Sequence, residues 1–176
     1  MQANVLNTMN APRVIVLMGV AAAGKTTIGT LLAERLGWPF HDADDFHPPA
    51  NIAKMAGGIA LDDSDREPWL MRLRKEVIDP ALSGDPAVLA CSALKASYRK
   101  TLGIGEAGIH AVFLDCDPAT LTGRMAARAG HYMKPEMLAS QLEALEVPSP
   151  AEAFYVTATL SADEIVDLIV DATLLP

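Results

Sequence analysis

Eight residues near the start of the chain have the types and spacing of a loop that binds phosphate groups. The stretch from Gly19 to Thr26 reads GVAAAGKT and fits the pattern G-x-x-x-x-G-K-[ST]. The backbone N–H groups of such a loop surround phosphate oxygens, and the helix that follows adds the partial positive charge of its N-terminus. The lysine of the pattern, here Lys25, contacts the β- and γ-phosphates, and the hydroxyl of Thr26 ligates Mg²⁺. The sequence therefore predicts a nucleotide site formed by Gly19, Val20, Ala21, Ala22, Ala23, Gly24, Lys25, Thr26 and Thr27.

Phosphate loops occur in several classes of nucleotide-binding protein, and the rest of the sequence separates these classes. The guanine-binding pattern N-K-x-D and the switch pattern D-x-x-G of GTPases are both missing from the 176 residues. The chain is also too short for the additional modules of motor or transporter ATPases. Two classes remain, a small phosphotransferase and a nucleotide-binding switch that transfers nothing.

A short acidic run after the second apolar segment supplies carboxylates for transfer chemistry. Asp42 and Asp44 alternate there, in the sequence HDADDFH. In a sheet of parallel strands, ligands bind outside the carboxyl ends of the strands. One carboxylate, Asp42, is assigned to the metal and its water shell, and the other, Asp44, to the acceptor hydroxyl, which a kinase must orient or deprotonate. The alternative is an Asp-rich turn with no chemical role, and Asp45 is interpreted as a solvated or capping residue.

The segment 43–86 is long for a connection between strands, and it is predicted to form a cap that binds the acceptor. It contains His47, Lys54 and Arg66. A packed structural role for His47 and a surface role for the two cations are left open. The acids at 62, 63 and 65 are interpreted as charge at a helix N-terminus.

Two arginines four residues apart predict a second cationic element. Arg124 and Arg128 lie on one face of a predicted helix, and Gly130-His131 follows as a turn. Arginines on a mobile helix can cover transferring phosphates and exclude water, so a lid is predicted over about residues 122–140. The alternative is a solvated basic face.

The elements that position these residues alternate between short apolar runs and helical patterns. Such alternation predicts an α/β fold with a parallel sheet covered by helices on both faces. Helices are expected from Lys25 to Leu36, after Asp62, and from Asp117, Pro135 and Ser161. Capping-box spacing is seen for Ser64 with Glu67 and for Ser161 with Glu164. The predicted strands are Val14–Met18, Pro39–His41, Ala87–Cys91, Ile109–Asp115 and Phe154–Thr159.

Length and composition place the chain among globular proteins of one domain. Its 176 residues are 51% hydrophobic and 20% charged, which is enough apolar material for a core. Residues 1–12 have no periodicity and are expected to form a flexible extension before a single domain over 13–176. The apolar stretch from Val14 to Gly24 is too short to span a bilayer and has no basic leader, so export and membrane insertion are not expected.

The net charge and the cysteines indicate which classes of partner and which cellular compartment to expect. The net charge is −8, and residues 135–176 carry acids but no lysine or arginine, so a nucleic-acid partner is not expected. Cys91 and Cys116 both lie in apolar runs and are interpreted as core thiols. Unpaired thiols of this kind are typical of a reducing compartment, and the expected location is the cytoplasm.

The residues outside the phosphate loop resemble those of the gluconokinase family, and the resemblance runs from Val14 to Pro148. Its most specific parts are DSDREPWL at residues 63–70 and CSALKASYR at residues 91–99. Further parts are His47-Pro48, Asn51, Lys54-Met55, Gly58, Leu61, Gly130-His131, Lys134, Met137-Leu138, Gln141, Leu145-Glu146 and Pro148. The departures are the alanines of the loop, where many such kinases have glycine at the position of Ala22, and Asp45, where the family often has an apolar residue. A positive φ at Ala22 would strain it mildly.

The resemblance implies a five-stranded parallel sheet of the nucleoside-monophosphate-kinase type with a helical lid, often in a homodimer. It implies ATP and Mg²⁺, and the phosphorylation of D-gluconate to 6-phospho-D-gluconate. It makes Lys25, Asp44, Arg124 and Arg128 the candidate catalytic residues. The candidates around gluconate are Asp44, His47, Lys54, Arg66, Lys95, Arg99 and His131, and those for the metal are Thr26 and Asp42. The alternatives are a related kinase for shikimate or another sugar acid, and an ATP-binding regulator without catalysis.

Overall fold

The computed structural model describes residues 11–127 and 135–174. At its centre is a five-stranded sheet in which every pair of neighbours is parallel, with the order β2-β3-β1-β4-β5. The predicted α/β class and five-stranded parallel sheet are confirmed, and each strand lies within two residues of its expected bounds. The strands are β1 (Val14–Met18), β2 (Phe40–Asp42), β3 (Ala87–Ala90), β4 (Ile109–Asp115) and β5 (Phe154–Thr157).

Helices connect the strands, and five of those within residues 11–127 and 135–174 begin within one residue of the predicted start. Helix α1 runs over the expected range and ends at Gly37, which adopts a left-handed conformation with φ of 67°. The sequence interpretation did not separate α2 and α5 from the loops around them. The helices are α1 (Lys25–Leu36), α2 (Pro49–Ala56), α3 (Asp63–Leu73), α4 (Asp79–Ser83), α5 (Ala96–Leu102), α6 (Pro118–Ala127), α7 (Pro135–Ala144) and α8 (Ala162–Leu174).

The start of α3 differs from the expectation in its cap. The capping box joins Asp62 and Asp65, because the Asp62 carboxylate accepts from the Asp65 N–H at 2.9 Å and the Asp65 carboxylate accepts from the Asp62 N–H at 3.0 Å. The predicted pair of Ser64 and Glu67 is therefore wrong, since the helix already begins at Asp63. The box expected at Ser161 and Glu164 is confirmed, with both reciprocal bonds present.

The core lies on both faces of the sheet, as the continuous apolar strands require. Along β1, Val14, Val16 and Met18 pack into one cluster, whereas Ile15 and Leu17 pack into the other. All five β1 side chains are buried, which identifies β1 as the central strand. The thiols at 91 and 116 are both free; the first is buried and the second is partly buried.

The loops that carry the predicted chemistry meet at the carboxyl edge of the sheet. The loop after β1 and the loop after β3 are joined there by a hydrogen bond from the Gly19 N–H to the Ser92 carbonyl, at 3.3 Å. A 3₁₀ turn, Ala43–Phe46, follows β2 at the same edge. None of the helices within residues 11–127 and 135–174 has the length and hydropathy that a bilayer crossing requires.

Candidate active site

The phosphate loop leaves β1 through a backbone that favours glycine at two positions. Gly19 has φ of 138°, and a Cβ there would lie 3.0 Å from the Leu114 carbonyl oxygen. Gly24 has φ of 102° and forms the N-cap of α1. Ala22 also has a positive φ, 63°, so the mild strain considered for this position is present. The strained turn and the helix N-terminus together form the cradle that a polyphosphate needs.

Two oxygen ligands expected for Mg²⁺ lie side by side at this edge. The Thr26 hydroxyl, in the first turn of α1, donates to the Asp42 carboxylate at 2.8 Å. A hydroxyl beside one carboxylate fits Mg²⁺, which takes few protein oxygens and completes its octahedron with water and substrate phosphates. The structure therefore brings together Thr26 and Asp42, the two residues predicted for the metal.

Asp44 lies one residue further, on the 3₁₀ turn that Asp42 caps. Its N–H donates to the Asp42 carboxylate at 3.1 Å, which fixes the turn, and 83% of its side-chain surface is exposed. Although the carboxylate is open to an acceptor, the surrounding protein displaces water and raises its pKa above the ordinary value of 3.8. The negative charge of Asp42 also raises this pKa, and the Lys25 ammonium lowers it. Asp44 is thus an accessible carboxylate with enhanced basicity beside the phosphate loop.

His47 follows this turn directly, and its side chain is buried. Its ring stacks on Trp69 with centroids 4.4 Å apart, and one ring nitrogen lies 3.3 Å from the Asn51 amide nitrogen. The Trp69 indole N–H in turn donates to the Ala43 carbonyl at 2.7 Å. Burial, with a smaller contribution from the charge of Arg66, lowers the pKa of His47 to about 4. A neutral ring cannot form an ion pair with Asp44, whose nearest carboxylate oxygen is 3.9 Å away, so the structure places His47 in a packing role.

A cavity of about 490 Å³ opens between the start of α3, the turn after β3 and helix α7. Arg66 and Lys95, two of the cations predicted for the acceptor, line it. Lys54 lies outside this lining and forms an ion pair with Asp65 at 2.6 Å. The complete lining is Leu61, Asp62, Asp63, Ser64, Arg66, Leu94, Lys95, Ser140, Gln141 and Ala144.

Asp63 organises the cations of this cavity, a role that the sequence interpretation missed. Its carboxylate accepts from the Lys95 ammonium at 2.7 and 2.8 Å and from the Tyr98 hydroxyl. Tyr98 also accepts from the Arg66 guanidinium at 3.3 Å. The hydrogen bonds from Lys95 and Tyr98 lower the pKa of Asp63, and the one to Asp63 raises the pKa of Lys95. Both cations are therefore held in fixed positions at the cavity wall.

Arg99 does not take part in the cavity. Its side chain is 3% exposed and forms an ion pair with Glu152 at 3.2 Å. Its guanidinium also donates to the carbonyls of Ala93 and Leu94, both at 3.3 Å, and of Glu146 at 2.8 Å. The placement around gluconate that the resemblance implied for Arg99 is not what the structure shows, because the guanidinium is enclosed by acceptors of the protein itself.

Arg124 lies against the phosphate loop. Its guanidinium donates to the carbonyls of Ala22 at 3.4 Å and Ala23 at 3.3 Å, and also to the Ala158 carbonyl that follows β5. Arg124 therefore bridges the phosphate loop and the segment that follows β5. Arg128, its predicted partner on the lid, and His131, predicted for the acceptor, lie outside the described residues, as do the rest of residues 128–134 and residues 1–10 of the predicted extension.

Comparisons with known proteins agree with this geometry. The sequence profile of the shikimate kinase family matches residues 21–173. The chain is 46% identical to the gluconokinase of Gluconobacter oxydans (strain 621H) over 141 residues, which cover 80% of this chain and 79% of that protein. It is 41% identical to the probable gluconokinase of Mus musculus over an alignment 182 positions long, which covers 93% of this chain and 99% of that protein.

A solved structure provides the same comparison in three dimensions. The crystal structure of a gluconokinase from Sinorhizobium meliloti 1021 superposes with a TM-score of 0.81 at 40% identity, covering 92% of this chain and 91% of that one. Identity at this level, over nearly the whole chain, extends well beyond the phosphate loop that many kinases share. The chain therefore belongs to the gluconokinase family of P-loop kinases.

Proposed function

We propose that this protein transfers the γ-phosphoryl group of ATP to a hydroxyl of D-gluconate and releases ADP and 6-phospho-D-gluconate. The observation that carries the proposal is the grouping of Thr26, Asp42 and Asp44 at the phosphate loop, together with a cavity lined by Arg66 and Lys95, two cations that suit a carboxylate. The names of the relatives, gluconokinases at 41% and 46% identity, favour gluconate over shikimate.

The residues of the phosphate loop bind and orient the nucleotide. The loop N–H groups and the α1 N-terminus hold the phosphates, while Lys25 places a cation at the transferring group. Thr26 and Asp42 would hold Mg²⁺, which when bound neutralises charge on the β- and γ-phosphates. Arg124 and Arg128 belong to the proposed lid over about residues 122–140, which would exclude water from the transfer.

Asp44 acts on the acceptor. Its exposed carboxylate orients the gluconate hydroxyl and accepts the proton that leaves as the oxygen–phosphorus bond forms. Arg66 and Lys95 hold the gluconate carboxylate at the cavity wall, and Lys54 and His131 complete the proposed set of acceptor residues. The segment 43–86 serves as the acceptor-binding cap of a single domain over 13–176.

The setting of the reaction is also part of the proposal. The enzyme works in the cytoplasm, where ATP is abundant and thiols such as Cys91 and Cys116 stay reduced. Its partner is a small molecule and not a nucleic acid or a membrane, and its expected assembly is a homodimer.

The test is an ADP-release assay across D-gluconate, other sugar acids, shikimate and AMP, with Lys25→Ala as the control. We expect strong turnover with D-gluconate and little with shikimate or AMP. Lys25→Ala should remain folded and lose about 10²–10³-fold in rate, the usual effect of removing one preorganised contact to developing charge. Equal turnover with AMP and gluconate would contradict the proposed acceptor.

A further inference from the structure

We propose that Gln141 is an acceptor-binding residue, one whose side chain fixes the phosphate loop with its oxygen and hydrogen-bonds the acceptor with its amide nitrogen. This inference rests on the proposed function, because it concerns the same cavity. It assigns to α7 a direct part in recognising the polyhydroxy acid.

The first observation fixes the orientation of the Gln141 side chain. Its Oε1 accepts a hydrogen bond from the Ala21 N–H at 2.7 Å, across 120 residues of sequence. A backbone N–H can only donate, so the oxygen of the carboxamide must face Ala21. The amide nitrogen then directs its two N–H groups away from the phosphate loop.

The second observation is that Gln141 lies at the wall of a polar cavity. Gln141 lines the cavity that also contains Arg66 and Lys95. Within residues 11–127 and 135–174, no hydrogen bond of Gln141 other than the one to Ala21 is seen. Two donors at the wall of a polar cavity fit the hydroxyl and carboxylate oxygens of a sugar acid.

The third observation is that α7 is anchored on the acceptor side as well. Just beyond its last turn, the Glu146 N–H donates to the Leu94 carbonyl at 2.8 Å, and the Glu146 carboxylate accepts from the Ala96 N–H at 2.7 Å. These bonds enclose the turn that carries Lys95. Gln141 is thus held between the loop that presents the phosphoryl group and the turn that presents a cation to the acceptor.

Charge explains why a neutral amide suits this position. Among the residues lining the cavity, the acids Asp62 and Asp63 balance the cations Arg66 and Lys95. A glutamate at position 141 would give the lining a net negative charge and would oppose an anionic acceptor. A glutamine adds donors without adding charge.

The decisive variant is Gln141→Glu, because a glutamate keeps an oxygen for the Ala21 N–H but loses the amide donors. We expect its melting temperature to stay near that of the wild type, while its KM for D-gluconate rises about tenfold or more, the effect of losing a hydrogen bond and adding a like charge. The same charge lies next to the phosphate loop, so the KM for ATP should rise as well. Gln141→Ala should raise both KM values, because it loses both contacts. Glu143→Gln, an exposed change on the same helix, is the matched control and should raise neither.

A second measurement avoids any variant that fails to fold. The chain contains two glutamines, Gln2 and Gln141, so selective ¹⁵N labelling gives two side-chain amide signals, and Gln2 serves as the internal reference. We expect D-gluconate to shift the Gln141 signal of the wild-type protein. The inference would be overturned by an unchanged gluconate KM in folded Gln141→Glu. It would also be overturned if the chemical shift of the Gln141 amide did not change at saturating acceptor.

The two proposals fail in different ways. If the wild type phosphorylates another acceptor instead of gluconate, the proposed substrate is wrong, and both measurements are repeated with the acceptor that is turned over. If the wild type phosphorylates gluconate and Gln141→Glu does so with the same KM, the role of Gln141 alone is wrong.

Discussion

The hydroxyl of Thr26 and the carboxylate of Asp42 are joined by a hydrogen bond of 2.8 Å, although they lie at the start of α1 and at the end of β2. The bond aligns two oxygens on one side of the phosphate loop. Because Asp42 also caps the turn that carries Asp44, one side chain positions both the proposed metal site and the proposed acceptor carboxylate.

Replacing Asp42 tests the proposed metal site. Asp42→Asn keeps an oxygen that can accept from Thr26 but removes the charge that attracts Mg²⁺. We expect the Mg²⁺ concentration for half-maximal activity to rise about 10–100-fold, the usual effect of altering a group that supports a metal, with little change in melting temperature. Steady-state kinetics with Mg²⁺ varied at saturating ATP and gluconate measures this. Asp45→Asn, the same change on an exposed neighbour, should leave the Mg²⁺ dependence unaltered.

Replacing Asp44 tests the acceptor carboxylate. Asp44→Asn keeps the shape of the side chain and removes the base, so kcat should fall by roughly 10²–10⁴, the usual contribution of general acid–base catalysis. The loss should be at the lower end if proton transfer is late in a loose transition state, and the gluconate KM should then rise too. The KM for ATP should change little, because the carboxylate is proposed to contact the acceptor and not the nucleotide. Full activity in Asp44→Asn would reassign the role to Asp42 or Asp45.

The buried ring of His47 predicts a loss of stability in acid. The unfolded chain has the ordinary histidine pKa of 6.5, whereas the folded protein holds the pKa of His47 at about 4. Between these values the unfolded chain binds a proton that the folded protein does not, so stability is complete above pH 6.5 and decreases as the pH falls towards 4. The total loss is about 3 kcal/mol.

Urea unfolding of the wild type and of His47→Gln, at about pH 7 and about pH 5, measures this linkage. His47→Gln should be less stable at neutral pH, because the stacking on Trp69 is lost, but its stability should fall less between the two pH values. His41, whose pKa burial also lowers, contributes to both proteins and cancels in the difference. Equal losses in the two proteins would contradict the prediction.

Much of the fold could be predicted because its signals are local. The β1 strand, the loop from Gly19 to Thr26 and helix α1 follow one another within 23 residues and define their own boundaries. The proximity of Asp42 to Thr26 follows from the same reasoning, because parallel strands bring their carboxyl ends to one edge. The cap of α3 was misplaced by local reasoning, since Asp62 and Asp65 satisfy the same spacing as Ser64 and Glu67.

The remaining parts of the site depend on contacts between distant segments. Gln141 is hydrogen-bonded to Ala21 across 120 residues of sequence, and Asp63 to Tyr98 across 35 residues. No spacing in the sequence predicts either contact. Arg99 shows the opposite case. It lies within a motif shared with the family, but its acceptors come from the turn after β3 and from the segment that follows α7.

The enclosed guanidinium of Arg99 predicts a stability effect in place of a binding effect. Arg99→Met removes the donors of three carbonyls and the partner of Glu152, and breaking a buried ion pair typically costs about 3–5 kcal/mol. Because Glu152 retains 38% of its side-chain exposure and can be rehydrated, we expect a loss in the free energy of unfolding of about 3 kcal/mol. Arg66→Met, at the cavity wall, should raise the gluconate KM and change stability by less than about 1 kcal/mol. Lys100→Met is the exposed control and should change neither quantity. Urea unfolding and gluconate kinetics together distinguish a role in stability from a role in acceptor binding. A stable Arg99→Met protein with a raised gluconate KM would contradict this prediction and would place Arg99 in the acceptor site.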